Sequence, residues 1–235
     1  MRHLARIATL LVTATLAAPA LAEGLDEIVV TGSRVSGEDY SRIPAIVLQR
    51  RADFLVQRIR LTNDTRAQEG RKQELYQTIR DMVTAAAQHK GLALSYGDEF
   101  LIPITATDYA VPMAERGNRP DTSSAEIYVK MALGEKDDVT KSIAALNAFI
   151  KGAHLDGRTE IEQQGDVGLS LVTPEKYRYE IIARIAEDAK KLQTTVGSQC
   201  KVELTGLSSR VSWRRSDISE LTLYVPYEVQ LTGCQ

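Results

Sequence analysis

The sequence predicts an α+β protein: mainly antiparallel sheet, about three helices packed on one face, and two strand–helix–strand halves. Three observations predict it. Ile127, Val129, Met131 and Leu133 alternate with polar or amphipathic residues, as do Leu223, Val225, Tyr227, Val229 and Leu231; this is the period of a half-buried strand. Three other segments repeat apolar residues at helical spacing. The strand and helix signals follow one another through glycine and turn residues, with no short repeat of the solenoid kind. The chain has 235 residues, 43% hydrophobic and 26% charged, enough to bury a core and far from a disordered composition. Its formal charge of −2 lacks the basic surplus that phosphate binding needs, so nucleic acid is not expected as a partner.

Residues 1–22 have the three parts of a secretory signal peptide. Arg2 and Arg6 open it, Ile7 to Ala18 is apolar apart from two threonines, and Ala20-Leu21-Ala22 is a small-x-small cleavage pattern. The apolar run falls short of the ~20 residues that span a bilayer. Cleavage after Ala22 leaves 213 residues starting at Glu23, with 27 basic against 31 acidic side chains and a net −4. No later stretch is apolar enough for a transmembrane helix. The expected location is the periplasm, with peripheral membrane contact compatible with that.

Residues 23–43 read as an N-terminal strand and linker. Within them Asp26-Glu27-Ile28-Val29-Val30-Thr31-Gly32-Ser33-Arg34 resembles the start of mature TonB-dependent outer-membrane receptors. Those receptors close a barrel of about 22 strands, each of roughly 9–11 residues. The mature chain cannot supply such a barrel and a plug. The stretch therefore reads as a short strand, Ile28 to Thr31, and a glycine turn.

The remaining residues, 44–235, read as one α+β domain with sub-halves 44–106 and 125–235. From Pro44 to about Asn63 the chain is extended. Its apolar positions change parity at Phe54-Leu55, as a bulge or bend would cause. Thr65 and Gln68 fit a capping box, and Leu75, Tyr76, Ile79, Met82, Val83 and Ala86 make the buried stripe of a helix that stops at Gly91. Leu92 to Tyr96 and Leu101 to Thr105 form a hairpin. Residues 107–124 read as a loop, and 115–121 are the expected boundary between halves. After the strand at Ile127, Asp137 or Asp138 caps a helix with core face Val139, Ile143, Leu146 and Ile150, ending at Gly152. A strand at Gly168 to Val172 leads to Thr173-Pro174-Glu175, a helix start. Ile181, Ile182, Ile185, Ala189, Leu192 and Val196 form the stripe of that helix, and Gly197 ends it.

The last segment reads as a hairpin turning at Arg215 to Ile218. Pairing Arg214 with Ser219 sets Val202 opposite Leu231 and Leu204 opposite Val229. Cys200 then lies opposite Gly233, one residue from Cys234, and a bulge at Gly233 would bring the two cysteines together. Either a Cys200–Cys234 disulfide or two free thiols fits the sequence; an oxidising compartment favours the bond.

No catalytic constellation stands out, and no catalytic, cofactor-binding or metal-ligating residue is assigned. The mature chain keeps His89 and His154, on different predicted elements and without ligand-spaced partners. Phosphate-loop, dinucleotide and nucleophile-elbow patterns do not occur. Glu187 and Asp188, with Lys190 and Lys191 nearby, read as a solvated helix face. Arginines form three groups: Arg50 with Arg51, Arg58 with Arg60, and Arg210 with Arg214 and Arg215. If their strands are neighbours, Arg58, Arg60, Arg210 and Arg214 would make a strip for an anionic partner. The alternative is a charged, solvent-facing sheet surface. Trp213 beside this cluster reads as packing.

The order of elements across residues 26–232 resembles the SIMPL domain (DUF541) family of exported bacterial periplasmic or envelope proteins. It is carried by Ile28-Val29-Val30-Thr31-Gly32, Pro44, the helix with Leu75 and Ile79, the hairpin with Pro103, and the third helix before Gly197. Ala186, Asp188 and Ala189 are similar to the family's A-x-D-A-x-x-K-A helix, with Lys191 and then Leu192 where the family has its lysine; Pro44-Ala45 stands at its early Pro-Asp. The resemblance implies a non-enzymatic envelope protein that acts by assembly or partner binding, linked in some members to stress tolerance. It implies no cofactor and no catalytic residues. Two other readings are an accessory or remnant of a TonB-dependent receptor system, and a hydrolase with a dispersed site.

Overall fold

The computed structural model describes residues 27–30, 43–98, 100–115, 121–197 and 199–234. The export segment 1–22, its cleavage point, Thr31 to Arg34 and the turn at 116–120 lie outside the described residues.

The fold is α+β, and every strand pairing among the described residues is antiparallel. The chain order is β1 (Glu27–Val30), β2 (Leu48–Arg51), β3 (Phe54–Asn63), α1 (Gln68–Ala87), β4 (Leu92–Tyr96), β5 (Ile102–Ile104), β6 (Met113–Glu115) and β7 (Ser123–Ala132). There follow α2 (Val139–Lys151), β8 (Thr159–Val172), a 3-10 turn (Pro174–Tyr177), α3 (Arg178–Val196), β9 (Lys201–Thr205), β10 (Ser212–Arg215), β11 (Glu220–Tyr224) and β12 (Glu228–Thr232). The main sheet runs β1-β8-β3-β7-β4-β5, with β6 also on β7. Smaller sheets are β10-β11-β2 and β12-β9.

The expected halves are both present as strand–helix–strand units, β3-α1-β4 and β7-α2-β8, but they interlock. β3 lies between β7 and β8, and β7 between β3 and β4. The spatial order β8-β3-β7-β4 is that of two split β-α-β units, the ferredoxin-like arrangement. The loop before β7 is therefore no boundary between independent halves. It also carries β6, which pairs with the start of β7.

The parity change in the extended segment has a two-part origin. The chain turns at Ala52 and Asp53, so β2 joins one sheet and β3 another. Within β3, Leu55, Ile59 and Leu61 face the main core, while Val56 packs on the opposite face with Leu101 and Tyr128. The bulge lies on the partner strand β8, where the register shifts between Val56 and Arg58. Gln57, buried in the core-facing layer, donates from Nε2 to the carbonyl oxygens of Arg58, Gln164 and Gly165. A buried polar side chain thus satisfies carbonyls around the bulge.

α1 buries Leu75, Ile79, Met82 and Ala86 against the sheet, and α2 buries Leu146 and Ile150. Asp138 caps α2, its carboxylate accepting from Lys141 N at 3.2 Å. The capping box expected for α1 does not form. Thr65 Oγ1 donates instead to Glu74 Oε2 at 2.8 Å, and that oxygen also accepts from Asn63 Nδ2 and the backbone N of Arg158. These donors, Arg158 N foremost, hold Glu74 below the usual carboxylate range. The knot ties the start of α1 to the start of β8. Gly157, at φ +55, is part of it: a Cβ there would overlap the Glu74 carboxylate.

The third helix departs from expectation twice. Thr173, at φ 50, makes no side-chain cap, and Pro174 opens the 3-10 turn, so the α-helix starts only at Arg178. α3 packs chiefly against β9 and that turn, not on the main sheet beside α1 and α2. Its Ile181 and Ile185 are buried in the same continuous core as Leu48, Leu221 and Leu223.

The final hairpin is also divided. β9 and β12 pair in the expected register, Val202 with Leu231 and Leu204 with Val229. Arg214 pairs with Thr222, however, and not with Ser219. β11 leaves the ribbon to pair with β2, Leu223 opposite Leu48, which makes the inner strands a separate sheet.

Candidate functional site

α1 and α2 lie on the same face of the main sheet, and a cleft of about 860 Å³ stays open between them. That volume lies in the range of small-molecule sites, roughly 300–1,000 Å³. Its apolar lining comes from Met82 and Ala85 of α1, Leu92 of β4, Met131 of β7, and Ala145, Ala148 and Phe149 of α2. The cause is local. Leu146 and Ile150 turn into the core, which leaves the flank of α2 to Ala145 and Ala148, both exposed. Methyl groups there cannot fill the space to α1.

Polar groups surround this lining: Asp81, His89, Lys90, Asp137, Asp138, Lys141, Ser142 and His154. The three acids already have local donors. Asp81 Oδ1 accepts from Gln77 Nε2 at 2.8 Å, Asp137 Oδ2 from Gly134 N at 2.7 Å, and Asp138 from Lys141 N. The Lys90 and Lys141 side chains are exposed at the cleft, Lys141 Nζ standing 3.9 Å from Asp138 Oδ2. An apolar lining beside two ammonium groups suits an amphipathic anion.

The structure brings both histidines to this one cleft, although they lie 65 residues apart in the sequence. His89 sits just past the end of α1, its ring edge-to-face with Phe149 at 6.1 Å. His154 Nε2 is 3.9 Å from Asp81 Oδ2. No group of three or more His, Cys, Asp or Glu able to hold a metal occurs among the described residues.

The arginines of the proposed strip are not brought together. Arg58 and Arg60 project from β3 on the face opposite the helices, and both clamp Glu126 of β7. Burial opposes the ionised form of Glu126, but the bonds from Arg60 and Arg58 hold it below the usual carboxylate range. Arg58 also lines a second pocket of about 300 Å³ with Asp98 and Tyr128. Arg210 is exposed ahead of β10, and Arg214 is half-buried on β10, in a different sheet from β3. The neighbouring strands that a continuous strip requires are absent from this arrangement. Arg50 pairs with Glu180 at 2.7 Å, Arg51 donates to the Asp137 carbonyl, and Arg215 donates to the carbonyls of Val167, Asp217 and Ile218. Lys191 pairs with Glu187 on the solvated face of α3.

Two linkages hold the ends of the described chain. Cys200 and Cys234 form a disulfide, with Cα atoms 4.4 Å apart. Gly233, at φ +70, turns the chain so that Cys234 reaches Cys200. At the other end Glu27, the first charge of the receptor-like stretch, is buried on the outer face of the sheet. It accepts from Lys130 Nζ and from Ser170 Oγ, and the Lys130 ammonium lies 4.0 Å from the centroid of the Phe54 ring. Burial lowers the Lys130 pKa, and Glu27 opposes that shift. The stretch from Glu27 to Val30 is thus an edge strand of this fold, β1, pinned across β8 and β3 to β7.

No helix among the described residues is long and apolar enough to cross a membrane. Comparison with protein-family models, curated proteins and solved structures finds no match for this chain.

Proposed function

We propose that the chain is a non-enzymatic, exported envelope protein of the SIMPL type whose α1–α2 cleft binds an amphipathic anion. The observation that carries the binding reading is the cleft itself. It joins a floor of methionine, alanine, leucine and phenylalanine to Lys90 and Lys141. A medium-chain carboxylate matches both parts: the chain covers the apolar floor, and the head meets the ammonium groups. The export reading rests on residues 1–22 and is supported by the Cys200–Cys234 bond, which suits an oxidising compartment. Fractionation and intact mass check it, the expected mature chain beginning at Glu23 and residing in the periplasm. A full-length cytosolic chain would contradict it.

Binding is tested by calorimetric titration with decanoate. Ala148 is exposed on the cleft wall, so Ala148→Trp fills the space without entering the core. The expected result is measurable binding that Ala148→Trp weakens by about tenfold or more, a loss of about 1.4 kcal/mol. Replacing both lysines, Lys90→Glu with Lys141→Glu, weakens it further at low salt than at high salt. Equal affinity in wild type and Ala148→Trp, or no binding by wild type, would overturn the reading.

A further inference from the structure

Open sheet edges invite pairing with other chains, and proteins blunt them with charge, proline or cover. Most edges here are blunted. β5 carries Pro103, β2 carries Arg50 and Arg51, β10 carries Arg214 and Arg215, and β1 carries the inward charge of Glu27. β9 is approached from α3, its Val202 N donating to Gln193 Oε1 at 3.1 Å. β12 differs. Among the described residues it pairs with β9 alone, and all five of its residues are exposed. It reads Glu-Val-Gln-Leu-Thr, without Lys, Arg or Pro. Val229 and Leu231 are 40% and 46% exposed. They share a side of the ribbon with Val202 and Leu204, opposite which they lie.

We propose that β12 is a self-association edge whose occupant is β12 of a second copy, antiparallel about a two-fold axis at Gln230. This register sets Val229 opposite the partner's Leu231, Glu228 opposite the partner's Thr232, and Gln230 opposite the partner's Gln230. No like charges meet, and each exposed apolar residue gains an apolar neighbour. Sliding the register by one residue either way sets Val229 and Leu231 against Gln230, Thr232 or Glu228, so the apolar match selects the Gln230-centred pairing. Because the edge pairs with itself, the contact closes at a dimer. The Cys200–Cys234 bond holds the end of the ribbon, which lowers the ordering needed on association. A five-residue edge is smaller than a standard interface, so the dimer is weak and depends on concentration.

The inference deepens the assembly part of the proposed function and is independent of the cleft, whose lining lies on α1, α2, β4 and β7. Sedimentation equilibrium of the mature chain over about 5–500 µM tests it. The expected result is a mass that rises toward twice the monomer. Val229→Lys shifts the association constant by at least about tenfold, because its ammonium would oppose the partner's Leu231. Mixing the Val229→Lys chain with a Leu231→Glu chain restores pairing, since the new charges face each other in this register. A wild type that stays monomeric would overturn the proposal. So would Val229→Lys chains that associate like wild type, or a mixture that pairs no better than its components.

Discussion

Glu27→Ala lowers the stability of the fold by about 3–5 kcal/mol, the cost of leaving a buried charge unpaired. The charge left behind is the Lys130 ammonium, whose side chain is 7% exposed and which already feels burial as a depressed pKa. Removing the carboxylate also removes the acceptor of Ser170 Oγ. Chemical denaturation at pH 7 measures the loss, and amide exchange localises it to β1 and the adjoining half of β8. The pH dependence separates this cause from simple loss of packing. A lysine whose folded pKa lies below its unfolded value binds fewer protons in the native state between those two values. Stability therefore rises with pH across that window. Without Glu27 the folded pKa falls further and the window widens, so the deficit of Glu27→Ala narrows from pH 7 toward about pH 10. Replacing both partners, Glu27→Leu with Lys130→Met, recovers most of the loss, because an apolar pair of similar volume needs no desolvation of charge. A deficit that is flat with pH and unrelieved in the double variant would show that the pair is not what holds β1.

Cys200→Ser with Cys234→Ser costs about 3–4 kcal/mol. The bond closes a loop with a sequence separation of 34, and chain-entropy reasoning gives that magnitude for a loop of this size. The loop contains β9 through β12, so the variant frays from the C-terminal ribbon inward. Denaturation midpoints of the wild type with and without reductant should differ by the same amount as wild type and the double serine variant. The reductant should leave the variant unchanged. An identical midpoint in all four conditions would contradict the assignment of the bond as a stabilising clasp.

Elements built from one chain segment were legible from periodicity. The stripes on α1 and α3 and the alternation in β7 each depend on neighbours within a few residues. The β9–β12 register was legible for a related reason: Val202 with Leu231 and Leu204 with Val229 is the apolar match. The inner strands were not, because β11 is drawn to β2, some 170 residues away in sequence, where Leu223 meets Leu48. The start of α1 misled through chemistry. Thr65 and Gln68 have capping-box spacing, yet Thr65 Oγ1 is taken by Glu74, whose carboxylate also collects donors from β3 and from the turn before β8. The cleft was invisible for a physical reason. It is formed by what Ala85, Ala145 and Ala148 do not fill, on two helices that meet only through the sheet. The histidines at its rim have no sequence spacing in common. Likewise Glu27 read as part of a receptor-like string, because its partner, Lys130, lies three strands away in the sheet.

The central claim is that the space between α1 and α2 is a binding site for an amphipathic anion. The most direct measurement is backbone amide chemical-shift mapping of the mature chain titrated with decanoate. The predicted result is saturable shifts confined to Met82–Lys90, Leu92, Met131 and Asp138–Ala153. These shifts should be absent in Ala148→Trp at the same ligand concentrations. Shifts centred on other surfaces, such as the β9–β12 ribbon or the Arg58–Glu126 pocket, or no saturable shifts at all, would contradict it.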